Sequence, residues 1–480
     1  MIMERVFDDL LAQASYVIGC EVTHTAIVVD PNRDVDQYIE AAERERLTIA
    51  YVTETHVHAD FISGARELAR RTGAQLLLSG AGGADWQYAF AEAEGARLLR
   101  DGDVIDVGTV RMIVRETPGH TPEHICFLIT DRTVSEQPIG MATGDFIFVG
   151  DVGRPDLLER AANIEGTMDG LARRLFHSIR ATRDLPDYLQ LWPGHGAGSA
   201  CGKALGSMPF TTLGYERIVN WAFHIDAEEQ FVSEVLAGQP EPPTYFARMK
   251  VVNRDDPPAA PALPELAQLD VDALERAIAS GAAVLDVRPS ADFAAGHIPA
   301  TISMPMGTSF SRWAGTLLSY DRDIVLLSDD LQRIDIGRHA LMLIGLDRVV
   351  ARGGSELRAA WRRLHGALQV VPRIDIRDLA STDRAIVDVR GSAEWDEAHL
   401  PGAEHRYLGD LLASMHGVPR DAPVVLYCQG GTRASIGASL LQAQGFTDVA
   451  TAPGGMGSWE AAGLPTETGE ANRTGKTQPS

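Results

Sequence analysis

Cysteine is scarce in this 480-residue chain: Cys20, Cys126, Cys201 and Cys428 stand far apart and form no C-x-x-C pair. That spacing excludes a disulfide framework and a structural zinc knuckle, so reduced thiols are expected. Cations are also short, with 43 Lys and Arg against 66 Asp and Glu and a formal charge of -23. Nucleic acid and anionic membranes recruit clustered Lys and Arg, so neither is an expected partner. No apolar run approaches bilayer length. Glu4, Asp8 and Asp9 are acids that a targeting segment avoids, so a cytoplasmic location is expected. What remains, 45% hydrophobic and 23% charged, is ordinary for globular protein, and the length exceeds what one core supports.

The stretch "NRDDPPAAPALPE", residues 253–265, carries prolines and charges that oppose regular structure, and reads as a linker after a first domain of residues 1–252. Beyond it the chain repeats itself at about 100 residues, the size of one small domain. "AAVLDVRPSADFAAGHIP" (Ala282 to Pro299) returns as "AIVDVRGSAEWDEAHLP" (Ala385 to Pro401), which sets two copies at residues 266–367 and 370–467. Short β-branched runs alternate with helical stretches in both, so α/β domains with parallel sheets are expected. The polar tail, residues 468–480, reads as disordered.

In the first domain four apolar runs each end on a potential metal ligand: "LTIAYVTETH" at His56, "VRMIVRETPGH" at His120, "GMATGDF" at Asp145 and "LQLWPGH" at His195. If these runs are strands of packed sheets, their ends converge at one edge. "SGARELARRTG" reads as a helix, with Ser63 its N-cap and Gly73 just past its end.

"TETHVHADFISG" holds His56, His58 and Asp60 in the pattern H-x-H-x-D, followed by Phe61. With the later "GH", "GD" and "GH", it resembles the metallo-β-lactamase superfamily, whose pattern continues H-x-H-x-D-H. The resemblance implies an αββα sandwich, and Phe61 removes a ligand of the second metal. His56, His120 and Asp145 remain, two imidazoles and a carboxylate, a facial triad of the kind that serves Fe(II) and O2. "TPGHTPEH" and "TGDFIFVGDVGRPDL" resemble the persulfide dioxygenases of the glyoxalase-II-like branch. That likeness implies one Fe(II) per chain on those residues, with a small-molecule persulfide and O2 as substrates and sulfite as product. His58, Asp60 and His195 would orient the ligands by hydrogen bonds. Cys201, in the glycine-rich "GHGAGSACGKALGSMP", is either a sulfur-handling catalytic thiol or a small buried one. Arg154 and Lys203 are candidates for a thiol carrier's carboxylates, with solvated surface positions as the plainer reading.

In the last copy "VVLYCQGGTRASIGASLL" puts Cys428 straight after an apolar strand, before glycines, Arg433 and a helix. Such a loop aims backbone N–H groups and a helix N-terminus at the sulfur, stabilising thiolate and persulfide. It resembles the C-x-x-G-x-R loop of rhodaneses. The resemblance implies that Cys428 carries a sulfane sulfur, that Gly430, Gly431 and Thr432 bind substrate, and that Arg433 steadies anions such as sulfite or thiosulfate. The middle copy has Ser328, Asp329 and Asp330 there, so it is expected to be catalytically silent, a spacer or docking surface. Asp286 and Asp388 with their arginines are expected to be structural ion pairs.

The whole order resembles bacterial fusions of a persulfide dioxygenase with rhodanese domains. The implied chemistry is oxidation of persulfides to sulfite and transfer of sulfur from Cys428 to form thiosulfate, in sulfide detoxification, by a homo-oligomer. The alternatives are a dinuclear zinc thioester hydrolase of the glyoxalase II type and a non-enzymatic sulfane-sulfur carrier.

Overall fold

The computed structural model describes residues 1–162, 166–203, 205–416 and 418–469. The chain divides into two compact units, the first made of residues 1–261 with 342–345 and the second of the rest. In the first, two six-stranded sheets stack face to face. Strand Gln13–Cys20 shows why: all its residues are buried, and alternate side chains enter different cores. Ala14, Tyr16, Ile18 and Cys20 join Met112, Val114 and Phe127 between the sheets, while Val17 joins Tyr38 and Leu68 under the helices outside. Helices Asp36–Arg44 and Ala65–Thr72 cover that outer face, and Met168–Arg180 and Glu228–Leu236 cover the other sheet. This is the expected αββα sandwich.

Gly73 ends the helix Ala65–Thr72 in the left-handed region at φ 73°, as read from the sequence. At its start the cap falls on Gly64, one residue on, and the Ser63 hydroxyl accepts from the Ala65 N–H at 3.0 Å. The linker boundary needs a larger correction. A helix runs Phe246–Asp255, so Asn253 lies inside it, and only residues 256–266 lack helix or strand. The charged residues before the prolines extend the helix; only the prolines end it.

The second unit holds two parallel sheets. The middle copy orders its strands Ala267–Gln268, Val349–Gly353, Ile324–Leu327, Ala283–Asp286, Ile302–Ser303. The last copy orders Glu404–His405, Ala385–Asp388, Val424–Tyr427, Val449–Thr451. Asp286 grips Arg288, and Asp388 grips Arg390, through two carboxylate oxygens in each buried pair. Losing one partner would strand a buried charge, at about 3–5 kcal/mol. The tail expected to be disordered lies outside the described residues beyond residue 469. Among the described residues no helix is long and apolar enough to cross a membrane.

Candidate functional site

The strand-end convergence expected from the sequence is present. His56 follows strand Thr48–Thr53, His120 follows Val110–Glu116, and Asp145 follows Gly140–Gly144. Their ligand atoms all lie within 4.8 Å of one another and all three residues are buried. Asp145 Oδ2 stands 3.5 Å from His120 Nε2 and 3.9 Å from His56 Nε2, and has no hydrogen-bond partner.

The far side of each ring is already occupied. His120 Nδ1 lies 3.0 Å from the Arg154 carbonyl, which can only accept, so this nitrogen donates and Nε2 keeps its lone pair. His56 Nδ1 hydrogen-bonds with the Thr55 hydroxyl at 2.9 Å. Burial pushes both imidazoles below their ordinary range, so they stand neutral, the form that binds metal. Two aimed imidazoles and an unsatisfied buried carboxylate oxygen fit a divalent transition metal with positions left open.

The groups expected to orient the ligands sit around this triad. His195 Nδ1 bonds Asp145 Oδ1 and its Nε2 bonds Asp60 Oδ2, both at 2.8 Å. Burial alone would depress this imidazole; the carboxylates of Asp145 and Asp60 outweigh it and hold the ring charged. His58 Nε2 lies 3.1 Å from Asp30 Oδ1, and although burial opposes the charge, Asp30 raises the ring to about 9. Phe61 is fully buried with its ring 4.5 Å from that of His58.

Three residues of the site escaped the sequence reading. Asp30 accepts from the Thr55 N–H at 2.6 Å as well as pairing with His58, and it ends the apolar run "TAIVVD", the same signature that marked the other ligands. His124 accepts from the Asp145 N–H at 3.1 Å and faces His56; burial lowers it to about 3, so it stays a neutral acceptor. Asn253 is fully buried, and its amide donates to the carbonyls of His58 at 2.8 Å and Phe61 at 2.7 Å while accepting from the Ser63 N–H at 2.9 Å. Nothing in its own segment marks it.

Arg154 is not free for a substrate, while Lys203 is exposed, the plainer of the two readings. Arg154 is fully buried, paired with Asp156 at 2.9 Å, and donates to the carbonyls of Ala200 at 3.2 Å and Pro240 at 2.7 Å. It pins the loop that carries Cys201. Lys203 Nζ donates to the Ala237 carbonyl at 3.0 Å. Cys201 is buried, with its sulfur in a second cluster with Asp60 and His195. Burial, then the charges of Asp145 and Asp60, push its thiol well above the usual range, so it stands protonated.

In the second unit Cys428 follows strand Val424–Tyr427 and is buried, while Gln429, Gly430 and Thr432 are exposed beside it. The Gly431 N–H donates to Cys428 Sγ at 3.0 Å. Gly431 reaches that position with φ 110°, which a side chain opposes, and then the helix Thr432–Ala443 begins. The Cys428 carbonyl accepts from the Met456 N–H at 2.8 Å, and a Cβ on Gly455 would fall 1.7 Å from that oxygen. Arg433 differs from expectation: both ends of its guanidinium bond Glu394, at 2.5 Å and 2.8 Å. Burial would weaken its charge, and Glu394 more than restores it. The guanidinium thus faces a carboxylate in this structure.

A family model described as the metallo-beta-lactamase superfamily matches residues 8–195, and one described as a rhodanese-like domain matches residues 270–356 and 375–462. A beta-lactamase hydrolase-like protein of Xylella fastidiosa (strain 9a5c) is 28% identical over 221 residues, covering 39% of this chain and 45% of that protein. The chain thus spans less than half the length of this relative. The mitochondrial persulfide dioxygenase ETHE1 of Bos taurus is 25% identical over 234 residues, 48% of this chain and 78% of that one. A crystal structure of a metallo-beta-lactamase from Staphylococcus aureus subsp. aureus COL is 40% identical, with a TM-score of 0.68, covering 74% of this chain and 99% of that one. The triad at the strand ends, the sandwich around it and this likeness agree: the chain belongs to the metallo-beta-lactamase superfamily and carries two rhodanese-like domains after its metal-site domain.

Proposed function

We propose that the chain oxidises low-molecular-weight thiol persulfides, of the glutathione or coenzyme A type, with O2 to sulfite, and transfers sulfane sulfur through Cys428 to form thiosulfate. In the first reaction persulfide, O2 and water give thiol, sulfite and protons. In the second, the Cys428 thiolate takes the outer sulfur of another persulfide, whose S–S bond breaks to release the thiol; sulfite then takes that sulfur from Cys428, leaving the thiolate and thiosulfate. The product of one centre is the acceptor of the other, which suits cytoplasmic sulfide detoxification.

One observation carries the reading: an unpartnered buried Asp145 oxygen facing two neutral imidazoles, in a chain that also holds Cys428 under the Gly431 N–H. Fe(II) held by His56, His120 and Asp145 would supply the electron exchange between sulfur and O2. The protein's part is orientation. His195, charged between Asp145 and Asp60, engages Oδ1 and so turns Oδ2 toward the two Nε2 atoms. The Gly431 N–H donates to Cys428 Sγ, and the helix that starts at Thr432 follows directly. The likeness to a bovine persulfide dioxygenase supports the substrate class.

A second reading is the dinuclear zinc thioester hydrolase, because Asp60, His195 and Cys201 form a further group able to hold a cation. Oxygen uptake with glutathione persulfide, measured beside the metal content of protein purified without added metal, separates the two. About one iron per chain with oxygen consumption is expected. Zinc in pairs with thioester hydrolysis and no uptake would sink the dioxygenase, and intact sulfur loading of Cys428 with no turnover would leave only a carrier.

A further inference from the structure

The helix that follows Cys428 is buried without a break from Ala434 to Leu441. A helix resting on a single sheet keeps a polar face toward water; one buried all round is enclosed from both sides. Its own sheet lies on one side, where Gly437 lets Leu426 and Leu411 approach so closely that a Cβ would meet them at 2.8 Å and 3.0 Å. The other side is taken by the middle copy. There the Ser303 N–H donates to Ser439 Oγ at 2.9 Å, and Ser303 Oγ hydrogen-bonds with Ser435 Oγ at 2.9 Å. All three serines are buried, and Ser303 ends the edge strand Ile302–Ser303 of the middle sheet.

From Ser435 the hydrogen bonding continues to the sulfur. The Ser435 N–H donates to the Gly431 carbonyl at 3.0 Å, and the Gly431 N–H donates to Cys428 Sγ at 3.0 Å. An edge strand that would otherwise show open backbone groups is thus capped by hydroxyls of the helix next to the nucleophile. The small side chains of "RASIGAS" make the approach possible.

We propose that the middle copy, which has no nucleophile of its own, is part of the sulfur-transfer centre, and that Ser303 is a positioning residue holding the first turn of the helix so that the Gly431 N–H points at Cys428. This goes beyond a spacer or docking role, and it rests on Cys428 being the sulfur-carrying nucleophile. Buried hydroxyls bonded to each other have little freedom, so the turn they anchor keeps one geometry. Losing the bond leaves the turn free to shift, and the sulfur anion loses a donor.

The test uses the full chain with Ser303→Ala and Ser435→Ala, which break the same bond from opposite sides. The rate of Cys428 alkylation by iodoacetamide is followed on its own peptide by mass spectrometry across pH, beside the kinetics of thiosulfate formation. Both variants are expected to slow alkylation at neutral pH and lower kcat by about threefold to tenfold, the worth of one hydrogen bond, with KM little changed. At high pH, where the thiolate forms unaided, the alkylation rate should return to that of the parent. An unchanged profile in both variants overturns the proposal. So does faster alkylation at every pH, which reports a loosened fold. If instead Cys428→Ser leaves thiosulfate formation intact, the underlying reading fails whatever the alkylation shows.

Discussion

The middle and last copies share a parallel sheet and a buried Asp–Arg pair, yet their central strands deliver different things. The strand Val424–Tyr427 ends on Cys428, and the glycine turn after it gives the sulfur a backbone donor. The strand Ile324–Leu327 ends on Ser328, whose hydroxyl instead accepts from the Asp330 N–H at 3.1 Å, while Asp329 pairs with Arg358 at 2.6 Å. Where the last copy has Gly431 at φ 110°, the middle copy has Leu331, already the first residue of helix Leu331–Leu343 and outside the left-handed region. The silence expected of the middle copy would therefore have two causes: no cysteine follows its central strand, and no left-handed turn follows that position.

The largest effect should come from removing the nucleophile. Cys428→Ser is expected to cut thiosulfate formation at least about a hundredfold, since a hydroxyl cannot carry sulfane sulfur, while oxygen uptake holds within about twofold. Product analysis checks this, and an undiminished thiosulfate yield would take Cys428 out of the pathway. Next, Gly431→Leu imports the middle copy's residue into the active turn. A side chain at positive φ costs about 1–2 kcal/mol, so sulfur transfer should fall about tenfold with the metal content unchanged. Wild-type transfer in that variant would show that the turn does not matter. The smallest effect is expected from Ser328→Cys in a Cys428→Ser background. The thiol would arrive without its donor and beside two carboxylates, so restored transfer should stay below about 1% of the parent rate. A larger gain would mean that the missing sulfur alone explains the silence.

Much of the architecture could be read before any coordinates, because it rests on short-range patterns. Apolar runs ending in His or Asp gave the converging strand ends, and a repeated "VLDVR" and "IVDVR" gave the two copies. The metal triad was legible for the same reason. What was not legible depends on partners distant in sequence. Arg433 reads as an anion binder, and its pairing with Glu394, 39 residues earlier, leaves no mark in its own segment. Arg154 looked solvated until Asp156 and two carbonyls proved to enclose it. Asp30 obeys the strand-end rule as well, but a lone acid lacks the density of H-x-H-x-D.

Asn253 ties the histidine loop to a segment made much later in synthesis. Its amide closes on the His58 carbonyl across 195 residues, and on that of Phe61 across 192. Chains emerge from the ribosome N-terminus first, so the histidine loop is made early and fastened late. Until the helix Phe246–Asp255 has been translated and docked, the loop lacks the clamp that sets its carbonyls. A nascent chain stalled before that helix should therefore hold metal poorly, and the residue that first looked like the start of a linker is the latch of the centre.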